Sequence, residues 1–237
     1  MNIGIVTAHP DDAEYLMAGT IIKYVRKGHR VTIIICTNGD IGSPFASKEE
    51  IAEIRRNEAI EGAKCMGADV IFLDYHDEFM PDSESSRLKV MNALRQVQPD
   101  VVFTLHYNDI TNADHRVVSN IVLDMSYLIV AKNIVTENKE IEKSPAFYYM
   151  DIPGGVKFEP NEFVDITDVI DLKKEAFSKH RSQIDWMEKL GSGNVLNNML
   201  MQSGFRGLQC GCEYAEAYIS LNTYPRGRTM SYLPQYL

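Results

Sequence analysis

The chain has 237 residues, 45% of them hydrophobic and 24% charged, with a formal net charge of −9. This length can bury a sizeable core without disulfides, and the acidic balance argues against nucleic acid or an anionic membrane surface as the main partner. No stretch approaches the roughly 18 consecutive apolar residues of a membrane span, and the N-terminus has no signal-peptide pattern. We therefore expect a cytoplasmic protein.

Short apolar runs alternate with segments of helical periodicity through the first half of the chain. Strands are predicted at residues 2–8, 31–36, 70–73 and 101–105, and helices at about residues 12–28, 47–66, 84–97 and 114–128. This alternation indicates an α/β fold with a Rossmann-like, doubly wound and mainly parallel sheet that carries helices on both faces.

The last third of the chain is less regular. Short strands are predicted near residues 147–152, 163–166 and 215–221, with helices near 168–179 and 195–201 and polar, glycine-rich loops around them. We expect one domain over residues 1–237, in which residues 1–134 form the Rossmann-like core and residues 135–237 complete the pocket.

A turn with one imidazole and two adjacent carboxylates follows the first predicted strand. His9, Asp11 and Asp12 emerge there, and open α/β sheets bind ligands just beyond the carboxyl ends of their strands. A second polar stretch, residues 106–116, follows the fourth predicted strand and contains His115. Both stretches could therefore open onto the same edge of the sheet.

His9, Asp12 and His115 together offer two imidazoles and one carboxylate, a usual ligand set for a catalytic zinc ion with a position left for water. Zinc, or another divalent transition metal, would lower the pKa of water and polarise a carbonyl group. Asp11 would then be free to act as the general base. As alternatives, Asp11 or Asp12 could cap the following helix, and His115 could be a surface histidine.

Residues 8–12 (Ala-His-Pro-Asp-Asp) and 114–116 (Asp-His-Arg) resemble the motifs of PIG-L/LmbE-type de-N-acetylases. These metal-dependent enzymes remove acetyl groups from N-acetylglucosamine-like sugars, and the resemblance extends over nearly the whole chain. It implies the same three metal ligands and the same base that the residues themselves indicate. It further implies that Asp114 is not a metal ligand but a carboxylate that tunes the histidine acting as the general acid.

One position departs from this family pattern. Many members have a histidine three residues before the last ligand, where it stabilises the tetrahedral oxyanion, but this chain has Asn112. The amide of Asn112 can donate a hydrogen bond but cannot carry a proton. Because loss of an oxyanion donor typically lowers the rate by about 10²–10³, Asn112 and His106 are both candidates to supply the missing donor.

Two further residues are candidates for substrate contact. The resemblance implies that Arg55 reaches sugar hydroxyls or a phosphate, to which its forked donors are suited. The alternative is a helix-surface arginine paired with Glu58 or Glu53. Asp40, in the turn after the second predicted strand, could bind sugar hydroxyls or simply form the turn.

The sequence thus predicts a zinc-dependent hydrolase that removes an acetyl group from an N-acetylglucosamine-like sugar or sugar conjugate. Its expected partner is that small molecule, and the sequence also allows a homo-oligomer. Two alternatives stay open: an amidase of a thiol-sugar conjugate, and a non-catalytic Rossmann-like module that binds a sugar or nucleotide. The first strand-turn lacks the Gly-x-Gly-x-x-Gly phosphate cradle, which counts against the module.

Overall fold

The computed structural model describes residues 1–224 and 226–237, and a mixed sheet of seven strands runs through this part of the chain. The strands are β1 (Asn2–Thr7), β2 (Arg30–Thr37), β3 (Asp69–Tyr75), β4 (Val101–Thr104), β5 (Ala146–Met150), β6 (Glu162–Asp165) and β7 (Ala215–Ser220). Their order across the sheet is β3-β2-β1-β4-β5-β7-β6. Strands β1 to β5 run parallel, and β7 is antiparallel to both β5 and β6.

Helices cover both faces of this sheet. They are α1 (Asp12–Arg26), α2 (Lys48–Met66), α3 (Glu84–Val97), α4 (Ala113–Met125), α5 (Ile170–Phe177), α6 (Arg181–Lys189) and α7 (Val195–Cys210). Short 3-10 turns lie at Pro153–Gly155, Thr167–Val169 and Pro234–Tyr236. Helices α1, α2 and α5 pack together, whereas α3 packs against α4. None of the helices in the described residues is long and apolar enough to span a membrane.

Local sequence signals explain several helix ends. Ser47 and Glu50 form the predicted capping box of α2, in which each side chain bonds to the other residue's backbone N–H. Gly67 ends α2 in the left-handed conformation, at φ 77°, which costs glycine little. Ser83 caps α3 and Asn112 caps α4 in the same way, through side-chain oxygens that accept backbone N–H groups.

The core is built on the continuous apolar strands. Ile3, Ile5 and Val6 of β1 are completely buried, as expected for a central parallel strand with helices on both faces. Burying each such side chain contributes about 1.5–3 kcal/mol. The fold class predicted from the sequence is confirmed, and the strands of the C-terminal third extend the same sheet.

The prediction is wrong mainly in the segment after α5. Polar loops are predicted there, but α6 forms, and α7 continues to Cys210 instead of ending near residue 201. Glycines inside α7 suggested a loop, yet Gly207 has a packing role. A Cβ atom at Gly207 would lie 2.5 Å from the carbonyl oxygen of Glu213, so this glycine lets α7 approach the chain that follows it.

Candidate metal centre and active site

The turns after β1 and β4 lie side by side where the strand order of the sheet reverses. Strand β1 pairs in parallel with β2 on one side and β4 on the other, so both turns leave the same edge. Asp11 occupies the N-cap position of α1, but its side chain makes no capping hydrogen bond. Asp12 accepts the backbone N–H groups of Ala8 and His9, at 3.1 and 2.8 Å, which fixes its carboxylate against the turn.

His9, Asp12 and His115 direct polar atoms toward a common point. His9 Nδ1 lies 3.2 Å from His115 Nε2, which in turn lies 3.2 Å from Asp12 Oδ1. One ligand atom from each of the three residues lies within 4.8 Å of the others, and all three side chains are buried. The two turns therefore assemble the ligand set that the sequence suggests.

The outer nitrogen of each imidazole faces a different carboxylate. His9 Nε2 lies 3.0 Å from Asp77 Oδ1, and His115 Nδ1 lies 2.7 Å from Asp109 Oδ2. The carboxylate of Asp109 accepts the N–H of His115, and the charge of Asp77 favours a proton on His9 Nε2, although that nitrogen makes no hydrogen bond among the described residues. The inner nitrogens then present lone pairs to each other and to Asp12. Two lone pairs and a carboxylate oxygen in such contact need a cation between them, so these residues fit a divalent metal ion.

The pKa values of these groups show the same demand for positive charge. Burial alone would lower the pKa of both histidines, but nearby carboxylates outweigh it. Asp12 and Asp77 raise the pKa of His9 well above its usual range, and Asp12 with Asp109 raises that of His115 to about 9. Burial opposes ionisation of Asp12, yet the two imidazoles hold its pKa well below the usual range.

Arg55 lies between two carboxylates of the site and is only 4% exposed. Its Nη1 lies 3.3 Å from Asp77 Oδ2 and its Nη2 lies 3.4 Å from Asp11 Oδ1. Nη1 also donates to the carbonyl of Gly39 at 3.3 Å. The guanidinium thus positions both carboxylates. Glu58, which the sequence offered as a surface partner for Arg55, instead accepts hydrogen bonds from Ser182.

Asp40 does not line the cavity but holds a residue that does. Its Oδ1 accepts the backbone N–H of Asp77 at 3.0 Å, and its Oδ2 lies 2.8 Å from His76 Nδ1. The side chain of Asp40 is buried by these contacts. Its place in the structure is that of a residue that fixes Asp77.

Asn112 and Glu78 form a pair at the rim of the site. The side-chain oxygen of Asn112 accepts the backbone N–H of His115 at 3.2 Å, and its NH₂ group donates to the carboxylate of Glu78. Asp114 accepts the backbone N–H groups of Glu78 and Met80, at 2.8 and 3.3 Å. Asp114 therefore anchors the segment that follows β3 and carries Glu78.

His106 lies apart from this group. Its ring packs edge-on against Tyr149 and Phe158, each with centroids 5.2 Å away, and its Nδ1 accepts the N–H of Asn108. Burial lowers the pKa of His106. The residue is not among those that line the cavity, whereas Asn112 is.

A cavity of about 440 Å³ is lined by two of the three candidate ligands, His9 and Asp12. Its polar side is lined by His9, Asp11, Asp12, Arg55, Asp77, Glu78 and Asn112. The rest of its lining is largely apolar and includes Tyr15, Leu16, Ile41, Phe177, Trp186, Met187 and Val195. The unpredicted helix α6 thus supplies part of the wall, and the amide of Gln183 fixes it by donating to the carbonyl of Gly42 at 3.0 Å.

Three carboxylates at the site are not assigned roles by the sequence pattern. Asp77 and Glu78 follow β3, and Asp109 lies between β4 and α4. Asp77 lies just beyond a strand end, as the other site residues do, and this position is the sequence signal that could have identified it. Nothing in the sequence pattern marks Asp109 as the partner of His115.

A family model described as PIG-L: GlcNAc-PI de-N-acetylase matches residues 5–126, a span that contains both turns. The chain belongs to the PIG-L family. A probable N-acetyl-alpha-D-glucosaminyl L-malate deacetylase 2 of Bacillus cereus is 29% identical over 77% of this chain and 84% of its own. The N,N'-diacetylchitobiose deacetylase structure from Pyrococcus horikoshii superposes with a TM-score of 0.82 at 27% identity, covering 92% of this chain and 83% of that one. A 4-oxalmesaconate hydratase of Pseudomonas putida is 24% identical over 73% of this chain and 70% of its own, so PIG-L relatives include an enzyme named for a different reaction.

Proposed function

We propose that this PIG-L protein is a metal-dependent hydrolase that removes an acetyl group from an N-acetylglucosamine-like sugar or sugar conjugate. The observation that carries the proposal is the convergence of ligand atoms from His9, Asp12 and His115, two of which line the same cavity as the carboxylate of Asp11. The deacetylases among its relatives support the choice of an N-acetyl amide. Zinc is the proposed ion because two imidazoles and one carboxylate are a common set at catalytic zinc sites.

His9, Asp12 and His115 would hold the ion, which when bound supplies a lowered pKa for water and polarisation of the amide carbonyl. The side chain of Asp11 is 22% exposed toward the cavity and is not used as a helix cap. Asp11 is therefore placed to take a proton from water and to pass it to the leaving amine. Arg55 holds this carboxylate in position through its contact with Oδ1.

Asn112 is the proposed donor to the oxyanion. Its NH₂ group carries two hydrogens, one of which is used by Glu78, so the other can point into the cavity. His106 is less suited because it is packed among aromatic rings away from the lining residues. Asp114 and Asp40 act in this proposal by holding the segment after β3, and not by contact with substrate.

Three variants test these roles in assays that score the free amine released from a panel of N-acetylated sugars. Asp11→Asn should keep stoichiometric metal but lose about 10²–10⁴ in turnover. His115→Ala should lose the metal, and retained stoichiometric zinc would remove it from the ligand set. Asn112→Ala should lower the rate by about 10²–10³ with metal retained, and an unchanged rate would move the oxyanion role to His106. Full activity of Asp11→Asn would contradict the proposed mechanism.

The substrate panel also separates the alternatives. Hydrolysis of amides of thiol-sugar conjugates would support the amidase alternative. Metal analysis of the purified chain tests the non-catalytic binding module, which requires no tightly bound ion. An unsaturated dicarboxylic acid tests for water addition to a carbon–carbon double bond, because one relative is named as a hydratase. Release of amine from acetylated sugars with no hydration of the diacid supports the deacetylase.

A further inference from the structure

The polar side of the cavity has an excess of negative charge. Four carboxylates line it, from Asp11, Asp12, Asp77 and Glu78. Among the described residues lining this cavity, Arg55 is the one arginine or lysine, and its terminal nitrogens already face Asp11 and Asp77. With Arg55 (+1) and the divalent ion of the proposed function (+2), the four carboxylates (−4) still leave this lining with a net charge of −1. Asp11 and Asp77 face Arg55 and Asp12 would face the ion, so an anionic group on a substrate would meet Glu78 without a compensating cation.

Glu78 is the most exposed of these carboxylates and is held by its backbone. Its φ of 62° lies in the left-handed region, which is uncommon for a glutamate and persists where the surroundings fix it. Asp114 provides that restraint by accepting the N–H groups of Glu78 and Met80. The hydrogen bond from Asn112 then fixes the side chain, so the carboxylate is maintained at the rim beside the proposed oxyanion donor.

In the same cavity, α6 and the start of α7 present an apolar wall that contains Trp186, Met187 and Val195. Helix α6 is tied to α2 near its N-terminal end. Ser182 donates to the carboxylate of Glu58 through both its N–H and its hydroxyl, at 2.7 and 2.6 Å. An indole that is carried by this anchored helix and lines a cavity can stack on the apolar face of a ring.

We propose that Glu78 and the Trp186 wall form a subsite for an uncharged sugar ring attached to the N-acetylated residue, and that the subsite discriminates against conjugates bearing a carboxylate or phosphate. A pyranose ring has an apolar face for the indole and hydroxyl groups that can donate to the carboxylate. A carboxylate at the same place would face Glu78 without a compensating cation. This inference rests on the proposed deacetylase function and specifies its substrate class.

The kinetic test compares N,N'-diacetylchitobiose with N-acetylglucosamine linked to L-malate, using metal-loaded full-length protein. The wild type should favour the uncharged substrate in kcat/KM about threefold, since the rim carboxylate of Glu78 at ~6 Å from the malate contributes about that factor in water. Glu78→Gln should bring this ratio close to one, and added salt should reduce the ratio of the wild type. Glu188→Gln, which removes the same charge from an exposed residue of α6 outside the lining, should leave the ratio unchanged.

A binding test uses the fluorescence of Trp186, which is the one tryptophan in the sequence. In metal-loaded Asp11→Asn protein, N,N'-diacetylchitobiose should produce a saturable change in emission, and the malate conjugate should produce a much weaker one. Trp186→Ala in the otherwise native chain should raise KM for the disaccharide about fivefold, with a smaller effect on the methyl glycoside of N-acetylglucosamine. Trp186→Phe should restore most of the affinity.

The outcomes separate this inference from the function on which it rests. If wild-type protein releases no amine from any sugar while the emission still responds to the disaccharide, the deacetylase proposal fails and the subsite stands. If acetylated sugars are hydrolysed but the malate conjugate is equal or preferred, the subsite proposal is overturned. An unchanged ratio in Glu78→Gln, or no emission change with the disaccharide, would also overturn it.

Discussion

Metal affinity should depend on Asp77, a residue that is not itself one of the three candidate ligands. Its Oδ1 lies 3.0 Å from His9 Nε2, so its charge favours the tautomer that is protonated at Nε2 and leaves Nδ1 facing the centre. Asp77→Asn keeps the size and can still accept from His9, but it removes the charge that makes this imidazole a better ligand. Its NH₂ group would also face Nη1 of Arg55, which now lies 3.3 Å from Asp77 Oδ2.

The expected loss is about 10- to 100-fold in metal affinity, the usual effect of removing a partner that orients a ligand. This corresponds to about 1.4–2.7 kcal/mol of binding free energy. Competition with a chromophoric chelator at fixed pH measures the affinity, and turnover at saturating metal measures what remains of catalysis. Turnover at saturation should fall less than affinity, because Asp11 is retained.

Asp74→Asn is the matched control for this experiment. Asp74 lies in strand β3, three residues before Asp77, is exposed, and contacts Arg56 at the surface. Its φ of 54° is one that asparagine tolerates well, so the substitution removes a charge without backbone strain. If the metal affinity of Asp77→Asn is within a factor of two of that of Asp74→Asn, Asp77 does not influence metal binding through His9. Complete loss of stoichiometric binding would instead make Asp77 a direct ligand.

Two further predictions follow from the same geometry. In metal-free protein, the pKa of about 9 for His115 against an ordinary value of about 6.5 gives about 3 kcal/mol of stability, fully present below pH 6.5 and lost as the pH rises through 9. The free energy of unfolding measured with denaturant should be lower at pH 9.5 than at pH 6, and equal values would contradict this prediction. Gly39→Ala should displace Arg55 and lower turnover, because φ is 68° and a Cβ atom would lie 2.5 Å from Arg55 Nη1. Gly28→Ala has a similar φ of 79° but open space around it, so stability should fall by about 1–2 kcal/mol with turnover retained.

The parts of the fold that could be predicted are those fixed by local signals. Strand β1 is continuously apolar because helices cover both of its faces, and α2 is bounded by a capping box and a left-handed glycine. Helix α7 could not be delimited, because Gly207 weakens a helix in isolation and is explained only by its approach to the carbonyl of Glu213. Packing between distant segments decides such positions.

The residues of the site also divide into those that the sequence could identify and those that it could not. His9, Asp12 and His115 could be identified because each lies just beyond a parallel strand, and adjacent strands bring those ends together. The contact of Asp77 with His9 depends on the path of the chain after β3, where the register with β2 shifts between Ile35 and Thr37. No short-range pattern encodes that path, so the role of Asp77 emerges only in three dimensions.

The same carboxylates link metal binding to substrate choice. Imidazoles that bind metals usually have a carboxylate or carbonyl at their outer nitrogen, and in this chain Asp77 and Asp109 lie at those positions. The resulting negative surroundings favour a cation at the centre but disfavour an anion in the cavity above it. An enzyme of this design that acts on anionic conjugates would need an additional free arginine or lysine at the rim. In this chain Asn112 and Glu78 occupy the rim, so the local charge favours neutral sugars.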